Sequence, residues 1–170
     1  MRELELGLNH PRLARLEAFE EATALLEAAR DAQGRGTYLA PAAARAWKEL
    51  AAAAARDGVV LELVSGFRSY EHQAQLVRAK VVAGEPLEAI LRVVAPPGYS
   101  EHHTGFAADV GAPGEEALEM SFARTPAFTW LAERAPAMGW RLSYPGGNRS
   151  GYIYEPWHWR FWPPKSGNPQ

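Results

Sequence analysis

The chain has no cysteine. Disulfides and thiolate metal sites are therefore excluded, and any metal would have to be held by nitrogen and oxygen donors. Lysine and arginine number 18 against 20 aspartates and glutamates, a formal net charge of -2, and no basic run stands out. That balance gives no electrostatic footprint for nucleic acid or for an anionic membrane surface. No stretch approaches the roughly 18 apolar residues that a membrane span needs, so no transmembrane segment is expected. Residues 1–34 carry Glu3, Glu5, Glu17, Glu20, Glu21 and Glu27, and they lack the continuous apolar stretch of about 7–15 residues found in a secretion signal. As written the chain is expected in the cytoplasm, or in the cell envelope if an N-terminal signal has been removed.

What is present is ordinary globular material: 170 residues, 47% hydrophobic and 22% charged. A single domain with one core, acting as a monomer, is expected. Its plan is a core over about residues 37–162, an N-terminal helix within 1–36, and a loose, polar, Pro-rich tail over 163–170.

Leu13, Leu16, Phe19, Ala22, Leu26 and Ala29 recur at steps of three or four, which predicts an amphipathic helix over 11–30. Pro11 lies near its start and Gly34 beyond its end, as helix boundaries prefer. Residues 41–56 form a second, Ala-rich helix with Trp47, Leu50 and Ala54 on one face. "VVLELVSG", from Val59, reads as a buried strand that delivers Phe67, Arg68 and Ser69 to its end. A helix carrying Gln73 follows, is broken by Gly84-Glu85-Pro86, and gives way to a short helix over 87–94. "AADVGA", from Ala107, reads as a short buried strand, and Thr125-Pro126 starts a helix that Gly139 stops. Residues 141–144 and 151–159 read as two strands around the turn "PGGNRSG", a hairpin that would set Glu155 and His158 in the sheet beside Asp109. Trp130, Trp140, Trp157, Trp159 and Trp162 are expected to build an aromatic-rich core, and His72 to be solvated or locally hydrogen-bonded. The fold class is α+β, with helices packed on a small, mainly antiparallel sheet.

Two stretches carry the chemistry: "YSEHHTGFAADV" at 99–110 and "YEPWHWRFW" at 154–162. They supply His102, Asp109, Glu155 and His158, which are the parts of a hydrolytic zinc site. Such a site typically takes three N and O ligands, leaves the fourth position to water, and keeps a further carboxylate for that water's protons. His102, Asp109 and His158 are read as the ligands and Glu155 as the base. Gly105 with the small residues Thr104, Ala107 and Ala108 lets the backbone turn tightly between the first two ligands. An Asp in a buried strand is costly unless a cation or donors compensate it, and a ligand role supplies that compensation. Glu155 and His158 are three apart, so both reach one site only if the strand is bulged or turned near Pro156.

These blocks resemble the zinc D-alanyl-D-alanine carboxypeptidases of the VanY type, which trim peptidoglycan stem peptides. The family patterns S-x-H-x-x-G-x-A-x-D and E-P-W-H-x-R match Ser100, His102, Gly105, Ala107 and Asp109, and Glu155, Pro156, Trp157, His158 and Arg160. "SGFRSYEHQ" at 65–73 and the run over 125–160 agree as well, so the likeness covers about residues 50–162. The chain departs from the pattern at His103, where Gln is common, and at Trp162, where a small β-branched residue is usual.

The resemblance implies a hedgehog/D-Ala-D-Ala-peptidase-like fold and one Zn2+ per chain on His102, Asp109 and His158. It implies Glu155 as the catalytic acid/base, Arg68 in both catalysis and substrate binding, and Gln73 and Ser100 as substrate contacts. The substrate would be a peptidoglycan stem peptide, losing its terminal D-alanine. The alternatives are an L,D-carboxypeptidase or a lysin-type endopeptidase on the same peptides, or a zinc-binding module without catalysis. Glu155 argues against the last of these, because a structural zinc site needs no spare base.

Overall fold

Among residues 11–163, the part of the chain that the computed structural model describes, six strands form two antiparallel sheets and four α-helices pack on them. A two-stranded sheet pairs β1 (Leu26–Arg30) with β2 (Gly36–Leu39). A four-stranded sheet is built from β3 (Glu62–Ser65), β4 (Ala107–Gly111), β5 (Trp140–Leu142) and β6 (His158–Phe161) in the order β3-β4-β6-β5. The α+β expectation therefore holds. No helix among the described residues is long and apolar enough to cross a membrane.

Helix α1 (Pro41–Arg56) buries Ala43, Ala44, Trp47, Leu50 and Ala54, the face that the sequence spacing predicts. Its alanines let it lie close against the sheet, and Trp47 meets Trp140 edge to face at 6.1 Å. Helix α2 (Tyr70–Val82) starts where the Ser69 hydroxyl accepts from His72 N–H at 3.1 Å, and α3 (Leu87–Val93) follows the Gly84–Pro86 break. Helix α4 (Pro126–Arg134) is capped by Thr125, whose hydroxyl accepts from Phe128 N–H at 3.1 Å. Trp130, Trp140 and Trp159 enter the core as expected and Trp157 packs against it. Trp162 does not: it stands exposed, with the Arg160 guanidinium 4.5 Å from its ring centroid. His72 is exposed.

The helix expected over 11–30 is absent. Residues Pro11–Arg15 make one 3-10 turn, residues 16–25 run as an irregular strap with bends at 16 and 23, and Leu26–Arg30 is strand β1. The reason lies in backbone partners. Phe19 N–H donates to Gly98 O at 2.7 Å and Ala22 N–H to His103 O at 2.8 Å, bonds that a helix would have kept to itself. The turn after β1 is set by Asp31, whose Oδ1 accepts from the backbone N–H of Gln33 and Arg35, and by Gly34 at φ 81°. Leu26, placed on the supposed buried stripe, is exposed, while Ala28 is buried.

Two further expectations change. Strand β3 is half-buried rather than buried, because it lies at the edge of its sheet and covers only one neighbour. It still delivers Gly66 and Arg68 to the site. The strand expected over 151–159 begins only at His158, so Glu155 lies in a turn before β6 and not in the sheet. Pro156 has no N–H to give a ladder, and the turn closes with His158 N–H donating to Glu155 O at 3.1 Å. Most of the expected tail, from residue 164 onward, falls outside the described residues, as does the start of the expected N-terminal region.

Candidate metal centre and active site

The site grows from a single 3-10 turn, Glu101–Thr104. Ser100 caps it, its hydroxyl accepting from His102 N–H at 3.4 Å, and Thr104 Oγ1 donates to Glu101 O at 2.7 Å. Gly105 ends the turn at φ 68°, where a Cβ would stand 2.7 Å from Ala40 N. Only glycine fits there, and the chain then enters β4, all five residues of which are buried. Within the turn His102 Nδ1 lies 2.6 Å from Gly66 O. A carbonyl can only accept, so Nδ1 carries the proton and Nε2 presents its lone pair to the site.

Asp109 lies opposite His158 in the β4–β6 register. Its Oδ2 is 3.2 Å from His102 Nε2 and its Oδ1 is 3.1 Å from His158 Nδ1. These three side chains are buried, and one ligand atom from each lies within 4.8 Å of the others, a group able to bind a metal ion. Two imidazoles and one carboxylate suit zinc, which prefers N and O donors of this kind when thiolates are absent. Glu155 returns from its turn to set Oε2 3.8 Å from His158 Nδ1. The bend near Pro156 that the sequence required is thus a turn, and it leaves Glu155 beside the ligand group.

The carboxylates here differ sharply in proton affinity. Burial raises Asp109, but His102 and His158 outweigh it and hold the group well below the usual carboxylate range. Burial pushes Glu155 up to about 7, reinforced by the charges of Asp109 and Glu101 and opposed by His158 and Arg68. For His158, burial favours the neutral ring, yet its hydrogen bonds to Asp109 and Glu101 raise it to about 10. For His102 burial prevails and its value falls. One carboxyl poised near neutrality beside an ionised one is the pattern that separates an acid/base group from a ligand.

Arg68 reaches the same place. Its Nη2 is 3.6 Å from Asp109 Oδ2 and 3.2 Å from Ser65 Oγ, and its Nη1 donates to Gln73 Oε1 at 3.1 Å. Gln73 sits behind it, fully buried, with Nε2 donating to Ala95 O at 2.6 Å. Both ends of that amide have partners inside the chain. His103, next to a candidate ligand, turns the other way: Nδ1 donates to Arg68 O at 2.6 Å and Nε2 accepts from Gly98 N–H at 3.1 Å.

Glu101 was not read as a site residue from the sequence. It is buried, with Oε2 3.0 Å from His158 Nε2 and 2.6 Å from Ser143 Oγ, and Oε1 3.1 Å from Arg160 Nη1. Burial would raise its pKa, but His158, Ser143 and Arg160 together lower it to about 2. The only signal in the sequence was an acid directly before His102; its three partners come from residues 42–59 positions away.

Residues 36–164 match the family VanY, D-alanyl-D-alanine carboxypeptidase. The chain is similar to the YodJ protein of Bacillus subtilis (strain 168), 35% identical over 128 residues covering 73% of this chain and 46% of that one. It is also similar to a D-alanyl-D-alanine carboxypeptidase of Enterococcus faecium, 31% identical over 127 residues, 73% of this chain and 37% of that one. The chain thus spans less than half the length of these two relatives. Among solved structures, the LdcB LD-carboxypeptidase superposes with TM-score 0.68 at 32% identity, covering 87% of this chain and 68% of that one. VanYB in complex with D-alanine-D-alanine gives TM-score 0.63 at 27% identity over 84% of this chain and 78% of that one. A mutant of the vancomycin-resistance D,D-pentapeptidase VanY in complex with Zn(II) gives 0.62 at 26% over 87% and 80%. From the matched stretch, and with the same patterns standing in the described core, the chain belongs to the VanY D-alanyl-D-alanine carboxypeptidase family.

Proposed function

We propose that the protein is a zinc carboxypeptidase that removes the C-terminal D-alanine from peptidoglycan stem peptides. The observation that carries this is the meeting of His102, Asp109 and His158 within 4.8 Å, with the Glu155 carboxyl beside them and held near neutrality. His102 through Nε2, Asp109 through a carboxylate oxygen and His158 through Nδ1 would hold one zinc ion. When bound, zinc polarises a carbonyl oxygen and acidifies water from 15.7 toward about 7.

The remaining work falls to this chain's own groups. Glu155 accepts the proton of the attacking water and passes it to the leaving amine, a shuttle for which a value close to working pH is best suited. Arg68 offers a planar fork to the substrate's terminal carboxylate, and Gln73 and Ser65 hold that fork in place. Ser100 caps the turn that carries His102, and its own hydroxyl proton is not used in that bond. Gln73 and Ser100 would contact the substrate while also holding Arg68 and the His102 turn in position.

A second reading is favoured by one comparison. The LD-carboxypeptidase LdcB is more similar in both identity and superposition than the two VanY structures. Release of D-alanine from a tetrapeptide, across an L,D bond, would use the same residues with a differently shaped cleft. Incubating the zinc-loaded protein with pentapeptide and tetrapeptide stems, and weighing the products by mass spectrometry, tests both. Loss of a single alanine from the pentapeptide is the expected result; loss from the tetrapeptide alone would favour the L,D reading. Internal cleavage would overturn both.

A further inference from the structure

We propose that Glu101 is a positioning residue for the metal centre, fixing the His158 ring so that Nδ1 presents its lone pair to the ion. The proposal rests on the zinc reading of His102, Asp109 and His158. An imidazole has two nitrogens on different edges, and a metal needs one of them unprotonated and correctly aimed. His158 Nδ1 faces Asp109 and Glu155, on the side where the ligands converge. Nε2 faces away from that point and meets Glu101 Oε2 at 3.0 Å. A carboxylate can only accept, so this contact keeps a proton on Nε2, and the Nδ1 proton that Asp109 accepts here is the one zinc would displace, leaving the Nδ1 lone pair to the ion. Glu101 therefore stands behind the ring and is not a fourth ligand.

The carboxylate is itself held at three points. Ser143 Oγ donates to the same oxygen as His158, at 2.6 Å, and Arg160 Nη1 donates to the other, at 3.1 Å. The Arg160 guanidinium in turn lies over two rings, 5.0 Å from the Phe19 centroid and 4.5 Å from that of Trp162. A buried carboxylate with three donors converging on it has one orientation available, and it transmits that orientation to His158. His102 gains the same service from a backbone carbonyl, Gly66 O. The two histidine ligands are thus oriented by different means, and only that of His158 can be removed by a side-chain substitution.

The nearly isosteric variant Glu101→Gln supplies one acceptor oxygen where the carboxylate has two. Whichever way the amide turns, its NH2 faces a donor: Arg160 on one side, Ser143 and His158 on the other. If it faces His158, the proton is driven toward Nδ1, the nitrogen the metal needs. Loss of such an outer partner typically costs about 10- to 100-fold in metal affinity.

The test compares zinc affinity, by chelator competition, with the ring N–H signals in a 1H–15N spectrum of the zinc-loaded full chain. Wild type should show the His158 Nε2–H shifted downfield and protected from exchange. E101Q should move that signal and weaken zinc by about 10- to 100-fold, while Ser143→Ala, which keeps the carboxylate, should retain it. Zinc affinity unchanged in E101Q, or a weakened affinity with the signal unmoved, would overturn the role. If E101Q fails to fold, the wild-type spectrum decides: a His158 Nε2–H in rapid exchange with water overturns it. Wild type that binds no zinc removes the metal reading and this role together, whereas wild type that binds zinc no better than E101Q removes only the role.

Discussion

Asp109 and His158 stand directly opposite one another across the β4–β6 ladder, and Asp109 Oδ1 lies 3.1 Å from His158 Nδ1. Two candidate ligands are therefore fixed by the pairing of two strands, 49 residues apart in sequence. The third, His102, comes from the turn that feeds β4, so one strand and its lead-in carry two of the three. A centre built this way is preorganised by the sheet and does not depend on a mobile loop.

If that pairing holds the ion, removing either partner should empty the site without unfolding the sheet. His158→Ala and Asp109→Ala are each expected to lose most of the zinc that wild type holds at one equivalent per chain. Elemental analysis of protein purified without added metal checks this, and variants that retain a full equivalent would dissociate these residues from the metal.

On the proposed reading, Arg68 receives the substrate's terminal carboxylate. Amidating that carboxylate removes a charge-assisted pair whose bonds are each worth about 1.5–3 kcal/mol. Peptides ending in free D-Ala-D-Ala should be cleaved with kcat/KM about 10- to 100-fold or more above their amides. Arg68→Lys should recover only part of the loss seen in Arg68→Ala, since a lysine keeps the charge without the fork. Equal cleavage of acid and amide would point to an endopeptidase.

The site also shapes stability against pH in metal-stripped protein. Glu155 is raised from 4.5 to about 7, so its contribution is fully present below 4.5 and is lost as pH rises to about 7. Glu101 is lowered from 4.5 to about 2, so its contribution is present above 4.5 and is lost as pH falls to about 2. Asp109, also lowered, adds to the acid limb, and His158, raised to about 10, adds a further loss as pH rises from 6.5 to about 10. In denaturant midpoints, Glu155→Gln should flatten the fall between pH 4.5 and about 7, and E101Q should shrink the fall below 4.5, leaving the part that Asp109 carries. A limb unchanged in its variant would assign it to another group.

Gly105 joins the His102 turn to β4 at φ 68°, with Ala40 N 2.7 Å from where a Cβ would stand. Gly105→Ala adds both a strained backbone angle and a clash, and should cost about 1–3 kcal/mol or more in unfolding free energy. Because the turn also sets His102, zinc affinity should fall with it. A fully stable G105A would mean that Ala40 and β2 can withdraw without penalty.

Much of this was legible in the residues. The ligand set stood out because Asp109 occupies a buried strand and Gly105 permits the turn before it, both local facts. Helix α1 was legible from the spacing of Trp47, Leu50 and Ala54, and α4 from its start signal at Thr125-Pro126. The N-terminal strap was not, because Leu13, Leu16 and Phe19 fit a helical stripe while the deciding bonds run to Gly98 and His103, some 80 residues away. Glu101 was missed for the same reason: nothing near it in sequence signals Ser143, His158 or Arg160. Burial created by distant chain segments leaves no local period.

A metal group and a separate proton shuttle meeting at one point can be separated by measuring zinc content and turnover together on Glu155→Gln. The variant should hold zinc and substrate as wild type does, while kcat on a D-Ala-D-Ala stem peptide falls by about 10²- to 10⁴-fold. Turnover near the wild-type rate would contradict the shuttle role, and loss of the zinc would make Glu155 a ligand instead.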